Sequence, residues 1–294
     1  MNSYISRFTM LGALVLILPL LLLSTPLQAE PSKGTSRLPS VAVTSLHQWL
    51  TNRMLSWMPP GRSYIPDAKE TPKEGKTRYE KIADAMISVV YDPSEHPIFI
   101  GKYGRARTLA LIASISWFES GYRKDVDLGV GAFGRGDHGR SWCMMQIMLG
   151  VPNAKIGGTR SRVFLTQNSF KVVQPNDPEW ASAYSGEDLV QDRQKCFRTG
   201  LHLLRNSFKA CGNLPVEDRL GVYGSGRCRA GWKPGRYRVR KAQRWLASGK
   251  PPLTDSEALK LLHPAPVVPG VRPSKVGAVR SSFLDPRIAI LSRY

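Results

Sequence analysis

The chain has 294 residues, of which 42 are Lys or Arg and 22 are Asp or Glu, so its formal net charge is +20. An excess of this size predicts an anionic partner. The four cysteines form no CxxC pair, which excludes a zinc site built on that spacing.

The N-terminus has the pattern of a signal peptide over residues 1–29. Arg7 precedes an unbroken apolar run, MLGALVLILPLLLL (10–23), and the small residue Ala29 ends the segment. This run is shorter than the roughly 20 apolar residues of a membrane-spanning helix, which favours cleavage after Ala29 over a retained anchor. The first cysteine is Cys143, so no lipid-bearing cysteine lies at the cleavage site. We therefore expect a periplasmic or secreted protein without a stable membrane span.

Composition divides the remaining chain, about 265 residues, into three parts. This length suffices for one large or two small domains. Residues 30–76 are predicted to be an N-terminal helical extension, with linkers at 30–40 and 59–76 that are rich in Pro, Gly and charged residues. Residues 77–248 are expected to form one mainly α-helical domain. Residues 249–294 have no sustained apolar period and are predicted to be a Pro-rich extended tail.

Apolar periodicity predicts four helices in the central domain. Thr77 with Glu80 three residues later resembles a capping box and predicts the start of the first helix, which ends near Asp92. The other three are predicted over GRARTLALIASISWFES (104–120), from about Glu187 to Ala210, and over RYRVRKAQRWLAS (236–248). Between Gly121 and Gly139 no period is present, and we expect an irregular loop.

An even number of cysteines in an exported protein predicts two disulfides. Cys196 and Cys211 lie on the same predicted helix, roughly 22 Å apart at the usual rise per residue, which excludes a bond between them. Two pairings remain. We favour Cys143 with Cys196 and Cys211 with Cys228, because the second bond closes a short loop. Four free, buried thiols are the alternative.

Glu119 is a candidate general acid. The twelve residues before it, RTLALIASISWF, contain no other carboxylate, and Glu119 shares a helix face with Ile112, Ile115 and Ser116. Desolvation at the edge of an apolar core would raise the pKa of this carboxyl and keep it protonated near neutral pH, as a general acid requires. The alternative is a glutamate that reaches solvent at the helix end.

Four stretches in order resemble motifs of the lysozyme-like superfamily, specifically lytic transglycosylases and goose-type lysozymes. They are ESGY (119–122), GDHGRSWCMMQI (136–147), CFRTGLHLL (196–204) and VYGSG (222–226). The family has a catalytic glutamate followed by serine at a helix end, then G-L-M-Q-[IV], N-I-x-x-G-x-x-Y-L and A-Y-N-A-G stretches. The resemblance implies a lysozyme-like helical domain with an irregular cleft loop.

The resemblance also implies roles for individual residues. Glu119 matches the catalytic glutamate, Tyr223 the tyrosine that supports it, and Gln146 the glutamine that lines the sugar cleft. Gly200 and Leu204 match helix-packing positions. The full set of implied substrate-binding residues is Ser120, Met145, Gln146, Ile147 and Tyr223. Two departures stand out, since Cys143 replaces a glycine of the family and Gly224 an asparagine.

This resemblance leaves three alternatives for the function of the protein. In a lytic transglycosylase Glu119 acts first as acid and then as base, while the N-acetyl group and C6 hydroxyl of the sugar replace a second carboxylate and give a 1,6-anhydro product. A goose-type lysozyme would instead hydrolyse the bond, with Asp137 positioning water. The third alternative is an inactive peptidoglycan-binding scaffold, which the departures at Cys143 and Gly224 make possible.

The segment 227–250 contains nine Lys or Arg and no acid. In a cytoplasmic protein this would favour nucleic acid, but outside the cytoplasm the anionic polymer is the carboxylate-bearing cell wall. We therefore expect peptidoglycan strands as the partner and no nucleic acid; a merely solvated basic surface is the alternative. No cofactor or metal is expected, because no H-E-x-x-H spacing occurs, and Ser120 lacks the G-x-S-x-G context of a nucleophile.

Overall fold

The computed structural model describes residues 41–61, 69–150, 161–167 and 169–264. The predicted signal peptide, and the predicted tail beyond residue 264, lie outside the described residues. The described chain is mainly α-helical, as predicted. None of its helices is both long and apolar enough to cross a bilayer.

Three helices form the centre of the core: α1 (Val41–Trp57), α2 (Pro72–Val90) and α3 (Gly104–Ser120). On α1 the buried Leu46, Leu50 and Met54 recur every four residues and face α2. The predicted N-terminal extension therefore contributes a helix to the same core as the central domain. The predicted bounds of α3 are confirmed.

Helix α2 begins earlier than predicted. The capping box is formed by Thr71 and Glu74: Oγ1 of Thr71 accepts from the Glu74 amide at 3.2 Å, and the Glu74 carboxylate accepts from the Thr71 amide at 2.7 Å. Pro72 at the first helical position needs no hydrogen-bond partner for its nitrogen and has the helical φ built in. The predicted start at Thr77, and the predicted linker as far as residue 76, are therefore wrong.

Short elements connect α3 to the second half of the core. The predicted irregular loop after Gly121 contains three helices of about one turn, α4 (Lys124–Leu128), α5 (Gly131–Gly134) and α6 (Gly136–Gly139). Strand β1 (Ser141–Trp142) pairs antiparallel with β2 (Ile147–Met148), with Trp142 opposite Ile147. Strand β3 (Arg162–Leu165) pairs antiparallel with β4 (Phe170–Val173), with Val163 opposite Val172.

The long helix predicted from Glu187 to Ala210 is two helices, α7 (Gly186–Gln191) and α8 (Arg193–Ala210). Asp192 separates them with an extended backbone, φ −123° and ψ 103°. Its carboxylate accepts from the amides of Gln194 at 2.8 Å and Lys195 at 3.3 Å. The side chain of Asp192 thus satisfies the free N–H groups of a new helix start, which periodicity does not reveal.

Both predicted disulfides are confirmed. Cys143 pairs with Cys196 and Cys211 pairs with Cys228, which leaves no free cysteine in the chain. The first joins the segment between β1 and β2 to the start of α8. The second joins the end of α8 to the segment before helix α10 (Lys233–Ser248).

Three helices complete the described chain: α9 (Gly221–Ser225), α10 (Lys233–Ser248) and α11 (Asp255–Leu262). Helix α10 packs along α3 through the buried Val239, Ala242 and Trp245. Helix α11 was not predicted, because its eight residues are too few for a periodic signal. It follows a Thr254 capping box, and Asp255 Oδ2 accepts from the Arg105 amide at 2.8 Å. The first part of the predicted tail is therefore packed against α3.

Candidate active site

Glu119 lies in the last turn of α3, with the apolar core on one side and a cavity on the other. Gly121 ends the helix in the left-handed conformation, φ 59°, and its amide donates to the Trp117 carbonyl at 2.8 Å. The side chain of Glu119 is 19 % exposed, whereas Ile112, Ile115 and Ser116 on the same face are fully buried. The helix therefore presents this carboxyl at the boundary of the core.

The cavity beside Glu119 has a volume of about 440 Å³, within the range of small-ligand clefts. Its wall is assembled from the end of α3, the segment from α6 to β2, the β3–β4 hairpin, α8, α9 and α10. The lining residues are Glu119, Gly136, Asp137, Gln146, Ile147, Met148, Leu149, Val163, Phe170, Val172, Leu203, Tyr223, Gly224 and Arg238. Four predicted site residues besides Glu119 are among them: Asp137, Gln146, Ile147 and Tyr223.

Two opposing effects act on the Glu119 carboxyl. Burial disfavours its charged form, and the nearby Asp137 carboxylate acts in the same direction. Arg238 acts the other way, since its Nη2 donates to Oε1 of Glu119 at 2.6 Å. Burial is the largest effect, so the pKa of Glu119 is raised above its ordinary value.

Gln146 fixes the shape of the segment opposite Glu119. Its Oε1 accepts from the Gly136 amide at 3.0 Å, and its Nε2 donates to the Cys143 carbonyl at 3.0 Å. Asp137, Cys143 and Gln146 all have positive φ, at 50°, 55° and 46°. Such backbone conformations cost about 1–3 kcal/mol each in non-glycine residues, and they cluster at functional sites. The Cys143–Cys196 bond ties this strained segment to α8.

Tyr223 supports the site through the backbone. Its hydroxyl proton is donated to the Met145 carbonyl at 2.6 Å, and its amide donates to Oγ of Ser207 at 3.0 Å. Burial raises the pKa of the Tyr223 hydroxyl well above its usual value, and the charge of nearby Glu119 adds to this. Tyr223 therefore stays neutral and links α9 to the Gln146 segment.

Asp137 is exposed at the rim of the cavity, on α6. Its Oδ2 accepts from the Ser141 hydroxyl at 2.5 Å. The structure thus brings Asp137 and Glu119 to one cavity, with the Asp137 carboxylate held by the start of β1.

Ser120 and Met145 lie behind the cavity wall. The buried Ser120 hydroxyl donates to the Ser116 carbonyl at 2.6 Å and accepts from the Tyr122 amide at 3.1 Å. Met145 is fully buried and packs against Gly200. A Cβ added to Gly200 would lie 2.6 Å from Cε of Met145. Both residues therefore shape the site, and neither lines the cavity in this structure.

Sequence reasoning missed Arg238 and the β3–β4 hairpin. Arg238 appeared only as one base in the segment 227–250, and no local pattern distinguishes it, because its partner is 119 positions away. Phe170 and Val172 of β4 line the cavity but belong to no recognised motif. The available signal for the hairpin was two short runs rich in β-branched and aromatic residues, RVFL (162–165) and FKVV (170–173), separated by four polar residues.

Among the described residues, no three His, Cys, Asp or Glu side chains are grouped so that they could hold a metal ion. The polar side chains that line the cavity are two carboxylates, one amide, one phenol and one guanidinium. Comparisons with protein-family models, curated proteins and solved structures give no match for this chain. Its chemistry therefore has to be inferred from the site.

Proposed function

We propose that this cavity is the active site of an exported, lysozyme-like enzyme that cleaves the β-1,4 bond between N-acetylmuramic acid and N-acetylglucosamine in peptidoglycan. One observation carries the proposal: a half-buried glutamate with a raised pKa lies on a cavity wall that also includes Asp137, Gln146 and Tyr223. These residues come from three of the four stretches that resemble the lytic transglycosylase motifs, and they meet although about 100 positions separate the first from the last.

The chemistry requires a proton for the leaving oxygen and a group that quenches the oxocarbenium-like centre. Glu119 is suited to the first role because burial raises the pKa of its carboxyl and so favours the protonated form. In a transglycosylase the sugar supplies the second group: its C6 hydroxyl attacks, and Glu119 takes the proton of that hydroxyl. No second protein carboxylate is then needed.

Two features support export. The segment 1–29 has the pattern of a signal peptide, and the two disulfides fit an oxidising compartment. Such a compartment also places the enzyme beside its proposed substrate, the cell wall.

Hydrolysis by a goose-type lysozyme mechanism is the second candidate, favoured by the presence of Asp137 on the same cavity. We prefer transglycosylation because the Asp137 carboxylate already accepts a short hydrogen bond from Ser141 and lies at the exposed rim. A carboxylate held in this way is a poorer base for an attacking water.

Product mass separates the two mechanisms. Purified wall digested with the wild-type protein is expected to give 1,6-anhydro muropeptides, and Asp137→Asn is expected to leave their yield nearly unchanged, since the attacking hydroxyl belongs to the sugar. Glu119→Gln serves as the inactive control. Mass spectrometry that finds mainly hydrated ends, which disappear in Asp137→Asn, would make the protein a lysozyme. If the wild-type protein does not cleave the wall, the inactive peptidoglycan-binding scaffold is the alternative that is left.

A further inference from the structure

Among the described residues that line the cavity, Arg238 is the basic one, and it forms an ion pair with the proposed catalytic acid. Its Nη2 lies 2.6 Å from Oε1 of Glu119, and the two side chains are 14 % and 19 % exposed. The pair thus lies at the inner wall of the cavity, where water screens it less than at the surface.

Surrounding groups hold Arg238 in this position. The Ser114 hydroxyl of α3 donates to the Arg238 carbonyl at 2.7 Å, which fixes the backbone of α10 beside Glu119. The guanidinium carbon lies 5.4 Å from the ring centre of Phe118 and 5.7 Å from that of Trp232, within cation–π range. The guanidinium is therefore oriented before any ligand binds.

Gly224 makes room for one of these rings. A Cβ added to Gly224 would lie 2.1 Å from Cη2 of Trp232, so a larger residue would displace the ring that packs on Arg238. The resembled families have asparagine at this position. The departure at Gly224 is therefore part of the arrangement that holds Arg238.

The ion pair opposes the chemistry proposed for Glu119. A general acid has to carry a proton, whereas a guanidinium at hydrogen-bond distance favours the charged carboxylate. Two charged groups act on Glu119, Arg238 from α10 and Asp137 from α6, while Tyr223 from α9 lies near it and stays neutral. Of these, Arg238 is the one that stabilises the charged form of Glu119.

Arg238 also has unused donor capacity. Its Nε is buried and has no hydrogen-bond partner among the described residues. A guanidinium binds a carboxylate best through two parallel N–H donors. A ligand carboxylate that entered the cavity could therefore offer Arg238 a better partner than the single contact with Glu119.

We propose that Arg238 binds a carboxylate of the saccharide substrate. This carboxylate replaces Glu119 as the ion-pair partner of Arg238, and Glu119 is then protonated for catalysis. This inference rests on the proposed function, and it names the substrate class: a saccharide with a free carboxylate beside the scissile bond, as in muramic acid whose lactyl group carries no stem peptide, in preference to a neutral chain such as chitin. When the substrate carboxylate pairs with Arg238, Glu119 takes up one proton from solvent. It then donates that proton to the leaving oxygen.

Binding tests the inference without cleavage. The probes are the disaccharide N-acetylglucosaminyl-N-acetylmuramic acid and neutral chitobiose, titrated calorimetrically into the full exported chain in two buffers of different ionisation enthalpy. The acidic disaccharide is expected to bind the wild type about 10- to 100-fold more tightly than chitobiose, the usual effect of one charge-assisted contact, and with proton uptake. Arg238→Gln should lose both the preference and the uptake, and Arg238→Lys should recover part of the preference. Equal binding of the two sugars, or binding of neither, would overturn the inference.

Kinetics give a second readout that a purely structural role would not change. In the wild type, with glycan strands freed of their stem peptides as substrate, the alkaline limb of kcat should lie at higher pH than that of kcat/KM, because Glu119 has lost its ion pair only in the bound state. In Arg238→Gln the two limbs should coincide and KM should rise. Arg107→Gln, which removes an exposed arginine from the same helix as Glu119, is the matched control and should behave as wild type.

Failure of this inference differs from failure of the proposed function. A wild type that cleaves wall while Arg238→Gln keeps its KM and pH profile would refute the role of Arg238 alone. A wild type that cleaves nothing would remove the proposed function, and the two disaccharide titrations would still decide whether Arg238 selects a carboxylate.

Discussion

At the residue scale, the proposed function depends most directly on Glu119. Glu119→Gln keeps the size of the side chain and its contact with Arg238 but removes the transferable proton. We expect wall cleavage to fall by about 10² to 10⁴, the usual contribution of general acid catalysis, with the fold unchanged. Turbidity clearing of purified wall measures the rate, and circular dichroism measures the fold. Cleavage at the wild-type rate would mean that another residue supplies the proton.

Glu95 shows a different use of a buried glutamate. Burial raises its pKa, but hydrogen bonds from His202 at 3.0 Å and Arg205 at 2.6 Å outweigh this and hold the pKa at about 2. A folded-state pKa below the unfolded value stabilises the protein above about pH 4.5, and this stabilisation is lost as pH falls towards 2. Glu95 thus serves stability, whereas Glu119 is the candidate for chemistry.

The free energy of unfolding in urea is therefore expected to decrease between pH 5 and pH 3, in part through protonation of Glu95. In Glu95→Gln this decrease should be smaller, although the variant is less stable overall because its cationic partners lose their carboxylate. The matched control is Asp84→Asn, an exposed acid, whose pH dependence should follow the wild type. The same slope in Glu95→Gln and wild type would show that Glu95 titrates normally.

At the scale of elements, the two disulfides can be compared because only Cys143–Cys196 has a cysteine in the segment from Asp137 to Gln146, whose two ends line the cavity. Cys143 lies in the strained segment between Asp137 and Gln146, and its carbonyl accepts from the Gln146 side chain. We expect removal of either bond by paired alanine substitutions to cost about 2–5 kcal/mol of stability.

Only the pair Cys143→Ala with Cys196→Ala should also lower the rate of wall cleavage at temperatures where the protein stays folded. The pair Cys211→Ala with Cys228→Ala is the control. Unfolding curves and wall digestion, measured on the same samples, separate the two effects. Equal rates in both double variants would mean that the Cys143 bond has no role in shaping the site.

The same elements show what a sequence can predict. The disulfide pairing was predictable because helix geometry excluded one pairing and loop length favoured another. The start of α2 was not, because two Thr-x-x-Glu patterns compete and Pro72 favours the earlier one. The break at Asp192 was hidden because apolar periodicity continues through it.

The candidate site likewise contains one residue that the sequence reveals and one that it does not. Glu119 could be found because its helical neighbours are close in sequence. Arg238 could not, because its contact with Glu119 depends on how α10 packs against α3 and leaves no local pattern.

At the scale of the whole molecule, part of the excess positive charge lies on the outer face of α10. Lys233, Arg240 and Arg244 are exposed there around the exposed ring of Tyr237. Such a surface raises the local concentration of an anionic polymer, in a way that salt weakens. If the polymer is peptidoglycan, this face would increase the affinity for wall without taking part in cleavage.

The triple variant Lys233→Gln, Arg240→Gln, Arg244→Gln should therefore bind wall less tightly, with a weaker salt dependence, when tested in a Glu119→Gln background that leaves the wall intact. Sedimentation with insoluble wall at several salt concentrations measures this. The control variant, Lys73→Gln, Lys76→Gln, Lys81→Gln, removes the same charge from exposed positions of α2. Equal losses in the two variants would show that only net charge matters.

The direction of α3 has a consequence for the acidity of Glu119. Peptide dipoles add along a helix, so its first turn is partially positive and its last turn partially negative. Asp255 accepts from amides of the first turn of α3, whereas Glu119 extends from the last turn. Burial is the main cause of the raised pKa of Glu119, but the field of the helix backbone also disfavours a negative charge there. Substitutions of neighbouring side chains leave that backbone field in place, so part of the upward shift in the pKa of Glu119 is independent of them.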